Sequence, residues 1–116
     1  MQGRILGATA LVVAEASTSV AAVLTHDLLR RARVAAGRGA CRRESPVTCL
    51  LVDGTLVEGV VDLAFEEDGA WTVIDYKTDR EMSEASIARY RRQVALYVAA
   101  IAQATAKPAT GVLMLV

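Results

Sequence analysis

The chain of 116 residues carries 13 basic and 13 acidic side chains, so its formal net charge is zero. Hydrophobic residues make up 53% of the sequence and the mean hydropathy is +0.34, values that exclude an intrinsically disordered protein. The length predicts one domain over residues 1–116, or a fragment of one. Neutrality also excludes a protein that holds nucleic acid through bulk positive charge alone.

Two helices are predicted at the beginning of the chain. Residues 8–23 are rich in Ala and Val and contain few helix breakers, a composition that favours a helix. We expect Thr25 to cap a second helix, and Gly37 and Gly39 to end it.

The same N-terminal segment leaves an alternative open. The mostly apolar residues 5–14, with Ala-Glu-Ala at 14–16, resemble a short signal peptide with its cleavage site, as in a small exported protein. No stretch reaches the roughly 20 apolar residues that a membrane-spanning helix needs. We otherwise expect a cytoplasmic protein without membrane association, in which Cys41 and Cys49 stay reduced.

Three strands are predicted in the middle of the chain, at residues 47–52, 56–65 and 71–76, where β-branched and apolar residues dominate. The turn signals Asp53-Gly54 and Asp68-Gly69 separate these strands. We therefore expect an antiparallel meander of three strands.

A helix and a buried strand are predicted to complete the domain. Residues 83–104 contain no Gly or Pro; Ser83 or Ser86 is expected to cap this helix, and Pro108 to stop it. Residues 111–116 form a continuous apolar run, which is typical of a strand covered on both faces. The order α-α-β-β-β-α-β predicts an α/β fold with a mixed sheet flanked by helices.

Basic residues are concentrated in two stretches, although the chain as a whole is neutral. The members are Arg30, Arg31, Arg33, Arg38, Arg42 and Arg43 in the first stretch, and Arg89, Arg91 and Arg92 in the second. Either stretch is compatible with a solvated helix face. Both also flank an acidic middle region, so a local site with basic surroundings is possible.

Two acidic residues, Asp62 and Asp75, stand inside strand sequences that are otherwise apolar. A hairpin loop at residues 67–70 pairs position 66 with position 71, and therefore Asp62 with Asp75. In that register their Cβ atoms lie about 5 Å apart on one face of the sheet. Lys77, two residues beyond Asp75, points to the same face.

Opposed like charges on neighbouring strands are destabilising, so a compensating charge is expected. A hard divalent cation, Mg²⁺ or Mn²⁺, takes carboxylate and carbonyl oxygens and keeps several waters. Lys77 would then hold or deprotonate a water, or stabilise charge on a phosphate under attack, as phosphodiester hydrolysis requires. The alternative is that Asp62 and Asp75 mark exposed strand ends and that Lys77 is their salt-bridge partner.

Three segments carry a resemblance to a known family: EGVVDL at 58–63, VIDYKTD at 73–79 and YRRQVALY at 90–97. They resemble the RecB-type branch of the PD-(D/E)XK nuclease superfamily, the nuclease domain at the C-terminus of UvrD-like helicase–nucleases. Residues 43–47 resemble the strand that precedes these motifs, and the similarity covers residues 24–116. The implied fold is restriction-endonuclease-like, and the implied activity is DNA cleavage with Mg²⁺.

The resemblance also implies roles for individual residues. Asp62 and Asp75 would be metal ligands together with the backbone carbonyl of Tyr76, and Lys77 would be the catalytic lysine. Gln93 and Tyr97, four residues apart on one helix face, would support the site or the DNA. On spacing alone, Tyr97 could equally pack into the core while Gln93 faces water.

The chain departs from the family pattern in one respect. RecB-type nucleases usually have a metal-binding His on an N-terminal helix, whereas His26, the only His here, stands elsewhere and is not expected to bind metal. The chain also lacks the G-x-x-x-x-G-K-[ST] loop of a helicase motor. We therefore expect an N-terminally incomplete or degenerate domain.

The sequence supports two functional hypotheses. The first is a Mg²⁺-dependent DNA nuclease that belongs to a helicase–nuclease DNA repair system, with DNA and a helicase domain or partner chain as its partners. The alternative is a catalytically inactive, nuclease-like module that binds DNA or protein.

Overall fold

The protein is described by a computed structural model at residues 8–15, 19–77 and 83–115, and the side chains are described at residues 27–77 and 83–114. The elements in chain order are β1 (Ala8–Glu15), α1 (Ser19–Gly37), β2 (Cys41–Leu50), β3 (Leu56–Glu67), β4 (Ala70–Lys77), α2 (Glu84–Thr105) and β5 (Ala109–Leu115).

The described strands form one mixed sheet in the order β1-β5-β4-β3-β2. The meander pairs β2 with β3 and β3 with β4 in antiparallel fashion, as the turn signals predicted. β5 runs parallel to β4 on one side and to β1 on the other, because the α2 crossover returns the chain to the same edge. The predicted α/β fold with a mixed sheet flanked by helices is confirmed.

The helix predicted over residues 8–23 is wrong for its first half, because residues 8–15 form β1. β1 pairs with β5, about a hundred residues further along the chain, through contacts such as Val12 with Val112. The remaining residues of that range, from Ser19 onwards, belong to α1, so Thr25 lies inside this helix and is not its N-cap. The observed order therefore begins β-α where the sequence predicted α-α.

The C-terminal end of α1 and the N-terminal start of α2 lie where the sequence predicted. α1 stops at Gly37; Gly39 has a φ of +73°, and the N–H of Ala40 donates to the carbonyl of Ala35. Ser83 caps α2, since its hydroxyl accepts from the N–H of Ser86 at 3.1 Å. Among the described residues, no helix combines the length and apolar character that crossing a membrane requires.

The β3–β4 hairpin has the predicted register with a tighter turn. Asp68 and Gly69, with φ of +51° and +79°, form a two-residue turn, and both signs suit the type I′ geometry that follows strand twist. Glu66 pairs with Trp71, as predicted, and Glu67 with Ala70 also pairs, so the loop is two residues shorter than expected.

Each face of the sheet has its own apolar core. On the α2 face, strand residues including Val61, Val73 and Leu113 are buried against Val94 and Val98 of α2. The corresponding core on the α1 face contains Leu28, Ala32, Ala35, Leu63, Phe65, Ile74, Val112 and Met114. β5 contributes to both cores, which confirms the prediction of a strand covered on two sides.

Candidate active site in a fork between two strands

The predicted acidic pair lies where β3 and β4 separate. Their backbone pairing runs from the turn to Leu63 opposite Ile74 and does not continue to Asp62 and Asp75. Beyond that point β3 stays paired with β2, whereas β4 stays paired with β5 as far as Lys77. The two strands therefore form a fork, and the two aspartates are the first residues inside it.

Asp62 also lies where β3 changes the face that its side chains bury. Val61 packs in the α2-face core and Leu63 in the α1-face core, although side chains two residues apart normally share a face. The paired strand β2 is irregular at the same level, since Glu44, opposite Asp62, has a φ of +45° and is skipped in the pairing. This change of face places Asp62 at the junction of the two faces.

Inside the fork, the Asp62 side chain accepts a hydrogen bond from β4 where a backbone carbonyl of β3 would accept it in a paired strand. Its Oδ2 atom accepts a hydrogen bond of 2.9 Å from the backbone N–H of Tyr76. Tyr76 is thereby tied to β3 through its backbone, while its side chain packs on the α1 face. The pKa of the Tyr76 hydroxyl is raised, chiefly by burial and further by the Asp62 charge, against the opposing effect of Arg43.

Asp75 is the one charged residue of the described chain that is almost completely buried, with 3% of its surface exposed. Burial raises its pKa to about 6; the Lys77 ammonium opposes this rise, and interaction with the Asp62 carboxyl adds to it. Nζ of Lys77 lies 3.2 Å from Oδ2 of Asp75, although this contact lacks the alignment of a hydrogen bond. Lys77 and Asp75 thus lie together, and the Asp75 carboxyl interacts with that of Asp62, as the sequence predicted. The predicted direct pairing of Asp62 with Asp75 on one face is wrong, because strand pairing ends at Leu63 and Ile74 and Asp62 lies at the junction of the two faces.

The chain matches the family model of the PD-(D/E)XK nuclease superfamily over residues 5–116. It belongs to this superfamily. The α/β sheet with its two flanking helices agrees with a restriction-endonuclease-like fold.

Two curated relatives are described as chains of ATP-dependent helicase/nucleases. The protein of Lysinibacillus sphaericus is 35% identical over 74 residues, which cover 52% of this chain and 6% of the relative. The protein of Heliobacterium modesticaldum is 50% identical over 28 residues, which cover 24% of this chain and 2% of the relative. The chain therefore spans only a small part of the length of either relative.

Helix α2 of this PD-(D/E)XK domain lies over the fork with a row of polar side chains. Nζ of Lys77 lies 4.9 Å from the centre of the Tyr90 ring, within the range of a cation–π contact. One turn later, Nε2 of Gln93 donates to the hydroxyl of Tyr97 at 3.1 Å. The side chains of Gln93 and Tyr97 are therefore hydrogen-bonded to each other, and both are partly buried. The alternative interpretation, in which Gln93 faces water, does not describe this contact.

Gly59 is a residue of the site that the sequence arguments did not single out. A Cβ atom at this position would lie 2.5 Å from Cε1 of Tyr97, so the ring rests directly on the β3 backbone. The only signal for Gly59 in the sequence was its place in the segment at 58–63 that carries the family resemblance. The contact with Tyr97 explains why a strand interior carries a glycine here.

The fork has the donor set that a hard divalent cation prefers. Oδ2 of Asp75 is buried and faces the Lys77 ammonium at 3.2 Å but accepts no aligned hydrogen bond, so it is available to a bound cation. Asp62 supplies a second carboxylate, and the carbonyl of Tyr76 is a third candidate oxygen. Among the described residues no group of three His, Cys, Asp or Glu side chains could hold a metal, and the side chain of His26 lies outside the described residues.

A second feature of the site is a cleft of about 290 Å³ on the α1 face. It begins at the fork, since Asp62 and Tyr76 form one of its walls, and it extends towards helix α1. Two arginines line it, Arg33 from α1 and Arg43 from β2. In the sequence both belong to a stretch of six arginines, and only the tertiary structure shows that these two, and not the other four, line the cleft.

Proposed function

We propose that this domain is a Mg²⁺-dependent DNA nuclease and forms the nuclease part of a helicase–nuclease involved in DNA repair. The observation that carries the proposal is the convergence of two carboxylates and an ammonium group in the β3–β4 fork. Membership of a nuclease superfamily supports the reaction class, since phosphodiester hydrolysis uses this combination of groups.

In this proposal Asp62, Asp75 and the backbone carbonyl of Tyr76 hold the divalent cation. The bound cation supplies Lewis acidity towards the phosphate and lowers the pKa of a water that it carries. Lys77, beside Asp75, orients the attacking water and stabilises the charge that develops on the phosphate. Gln93 and Tyr97 keep α2 seated on β3, so that the fork retains its width.

The association with a helicase rests on the two relatives, whose names join a helicase and a nuclease. Because the chain aligns with only 6% and 2% of their lengths, we propose that a helicase domain or a helicase partner chain works together with this domain. DNA is the proposed substrate, and Mg²⁺, or Mn²⁺ in its place, is the proposed cofactor.

The proposal is tested by cleavage of end-labelled DNA with Mg²⁺ or Mn²⁺. The wild-type chain should cleave, and Lys77→Ala should lower the rate by at least about 100-fold, the usual effect of losing one group that stabilises transition-state charge. Calorimetry should show divalent-cation binding that Asp62→Asn weakens. Cleavage that is unchanged in Lys77→Ala would exclude the proposed mechanism.

A non-catalytic, nuclease-like module that binds DNA or protein is the second candidate. The observation that favours it is the small number of acidic side chains, since the described fork offers two carboxylates and no third metal-binding side chain. DNA binding that persists without any cleavage, together with no calorimetric signal for Mg²⁺ or Mn²⁺, would establish this alternative.

A further inference from the structure

The arginines of the first basic stretch have different partners in the folded chain. Arg30 forms a salt bridge with Asp27, and Arg31 forms one with Asp27 and a closer one, at 2.6 Å, with Glu67. Their positive charges are therefore balanced by carboxylates on the same side of the sheet.

Two more arginines of this stretch are bound to backbone carbonyls. Arg38 donates to the carbonyl of Glu66 at 3.0 Å, and Arg42 donates to the carbonyls of Gly39 and Cys41 at 3.1 Å each. These bonds hold the guanidinium groups near the end of α1, away from the fork.

Arg33 and Arg43 differ from the other four. Within residues 27–77 and 83–114 neither forms a hydrogen bond or a salt bridge, and both are exposed. They come from different elements, yet they line the same cleft, which also contains Asp62. Two guanidinium groups against one carboxylate leave this cleft with a net positive charge beside the fork.

An arginine pair of this kind suits a phosphodiester. A guanidinium presents N–H groups in a planar fork that matches two phosphate oxygens, and it is more weakly hydrated than an ammonium group, so it binds a phosphate at a smaller desolvation cost. Asp62 belongs to both the fork and the cleft, so a phosphate bound in the cleft would lie next to a scissile phosphate held in the fork.

We propose that Arg33 and Arg43 form a binding site for a backbone phosphate of the DNA strand, next to the phosphate that is cleaved. The inference rests on the proposed nuclease function, because it assigns the direction in which the substrate strand leaves the fork. Arg33 and Arg43 hold the strand by charge and geometry, without contacting the reacting atoms.

The test measures binding of a short fluorescent single-stranded oligonucleotide by anisotropy, in EDTA, so that cleavage plays no part. Arg33→Gln/Arg43→Gln should weaken binding by about tenfold or more at about 50 mM salt. The slope of log affinity against log salt should become shallower by about 0.7 for each phosphate that is no longer neutralised. Arg33→Lys/Arg43→Lys, which keeps the charge but not the planar fork, should bind with intermediate affinity.

The matched control is Arg30→Gln/Arg42→Gln, which removes the same charge from the same two elements but outside the cleft. Thermal unfolding should show that both double variants are folded; if the cleft double variant is not, the two single variants replace it. Equal affinity and salt slope in cleft and control variants would overturn the inference, as would wild-type protein that does not bind DNA.

Cleavage assays separate this inference from the proposed function. A wild-type chain that cleaves DNA, with cleft variants that bind like the control, removes the phosphate site and leaves the nuclease. A wild-type chain that does not cleave, but whose DNA binding depends on the two cleft arginines, removes the nuclease and leaves the phosphate site.

Discussion

At its turn, the β3–β4 hairpin is continuously paired and closed by Asp68-Gly69, and its side chains alternate between two apolar cores. At its other end the strands part after Leu63 and Ile74, and acidic groups occupy the gap. The same two strands thus have a closed end, from the Asp68-Gly69 turn to Leu63 and Ile74, which stabilises the fold. Their open end, beginning at Asp62 and Asp75, brings like charges together. The open end is stabilised by the rest of the sheet, since β2 and β5 hold its two strands apart.

The largest expected effect is at the closed end. Phe65 is fully buried in the α1-face core, and its replacement by Ala should lower the unfolding free energy by about 3–5 kcal/mol, because transfer and cavity effects add. Urea denaturation measures this loss. Val34→Ala, on the exposed side of α1, is the control and should change stability by less than about 0.5 kcal/mol. Similar losses in the two variants would contradict the assignment of Phe65 to the core.

At the open end, by contrast, a substitution should increase the stability of the fold. The pKa of Asp75 is raised to about 6, so the folded state holds a proton that the unfolded chain releases near 3.8. Stability therefore falls as the pH rises through this window, and Asp75→Asn should be more stable than wild type above pH 6, by about 1–3 kcal/mol. The measurement is urea denaturation in EDTA at several pH values.

Two observations check this sign. The gain from Asp75→Asn should vanish below about pH 4, where both states are protonated. Glu67, at the closed end, has its pKa lowered by the hydrogen bond from Arg31, so it contributes stability that is lost as the pH falls. Glu67→Gln should therefore remove a small stabilisation at pH 7. Equal stability of wild type and Asp75→Asn at pH 8 would show that the fork carries no electrostatic penalty.

A smaller effect is expected where α2 rests on β3. Gly59→Ala would push a methyl group into the Tyr97 ring and should cost about 1–3 kcal/mol of stability. The cost should fall sharply in a Tyr97→Ala background, because the clash is removed. Gly37→Ala, whose added Cβ meets no atom within 4 Å, is the matched control. An equal cost of Gly59→Ala in both backgrounds would rule out the contact as its cause.

The smallest effect is expected for the ring over Lys77. Tyr90→Phe keeps an aromatic face beside the ammonium and should cleave DNA at close to the wild-type rate. Tyr90→Leu removes it and should lower kcat by about 2- to 5-fold, equivalent to a cation–π contact of about 0.5–1 kcal/mol. Single-turnover cleavage measures both. A loss in Tyr90→Phe as large as that in Tyr90→Leu would assign the effect to the hydroxyl group.

The elements that the sequence predicted correctly depend on neighbours in the chain. Ser83 as a helix cap, Gly39 after a helix and Asp68-Gly69 as a hairpin turn all act within a few residues. Such a turn also fixed the register from Glu67 and Ala70 to Leu63 and Ile74, so it placed Asp62 and Asp75 at the next position of the two strands, where the pairing ends. The acidic pair and Lys77 were for this reason predictable.

The main incorrect prediction, a helix at residues 8–15, concerns an element defined by distant partners. Local composition favours a helix there, but pairing with β5 decides the outcome, and β5 is reached only after the rest of the sheet is built. The roles of Gln93, Tyr97 and the other site residues stay predictions until cleavage is measured. Their contacts, by contrast, could be described only in the folded chain.

The sequence by itself determined the β3–β4 hairpin, α2, β5, the membership in a nuclease family and the acidic pair with its lysine, because turns and caps are local properties. The strand predicted at residues 47–52 was misplaced, since β2 spans Cys41–Leu50 and its first half is set by pairing with β3. Only the tertiary structure decided that β3 leaves β4 at Asp62, that Asp75 loses its solvent, and that Arg33 and Arg43 face one cleft. These features depend on which strand each residue pairs with and which helix covers it. Such choices follow from packing across the whole sheet, which no short segment encodes.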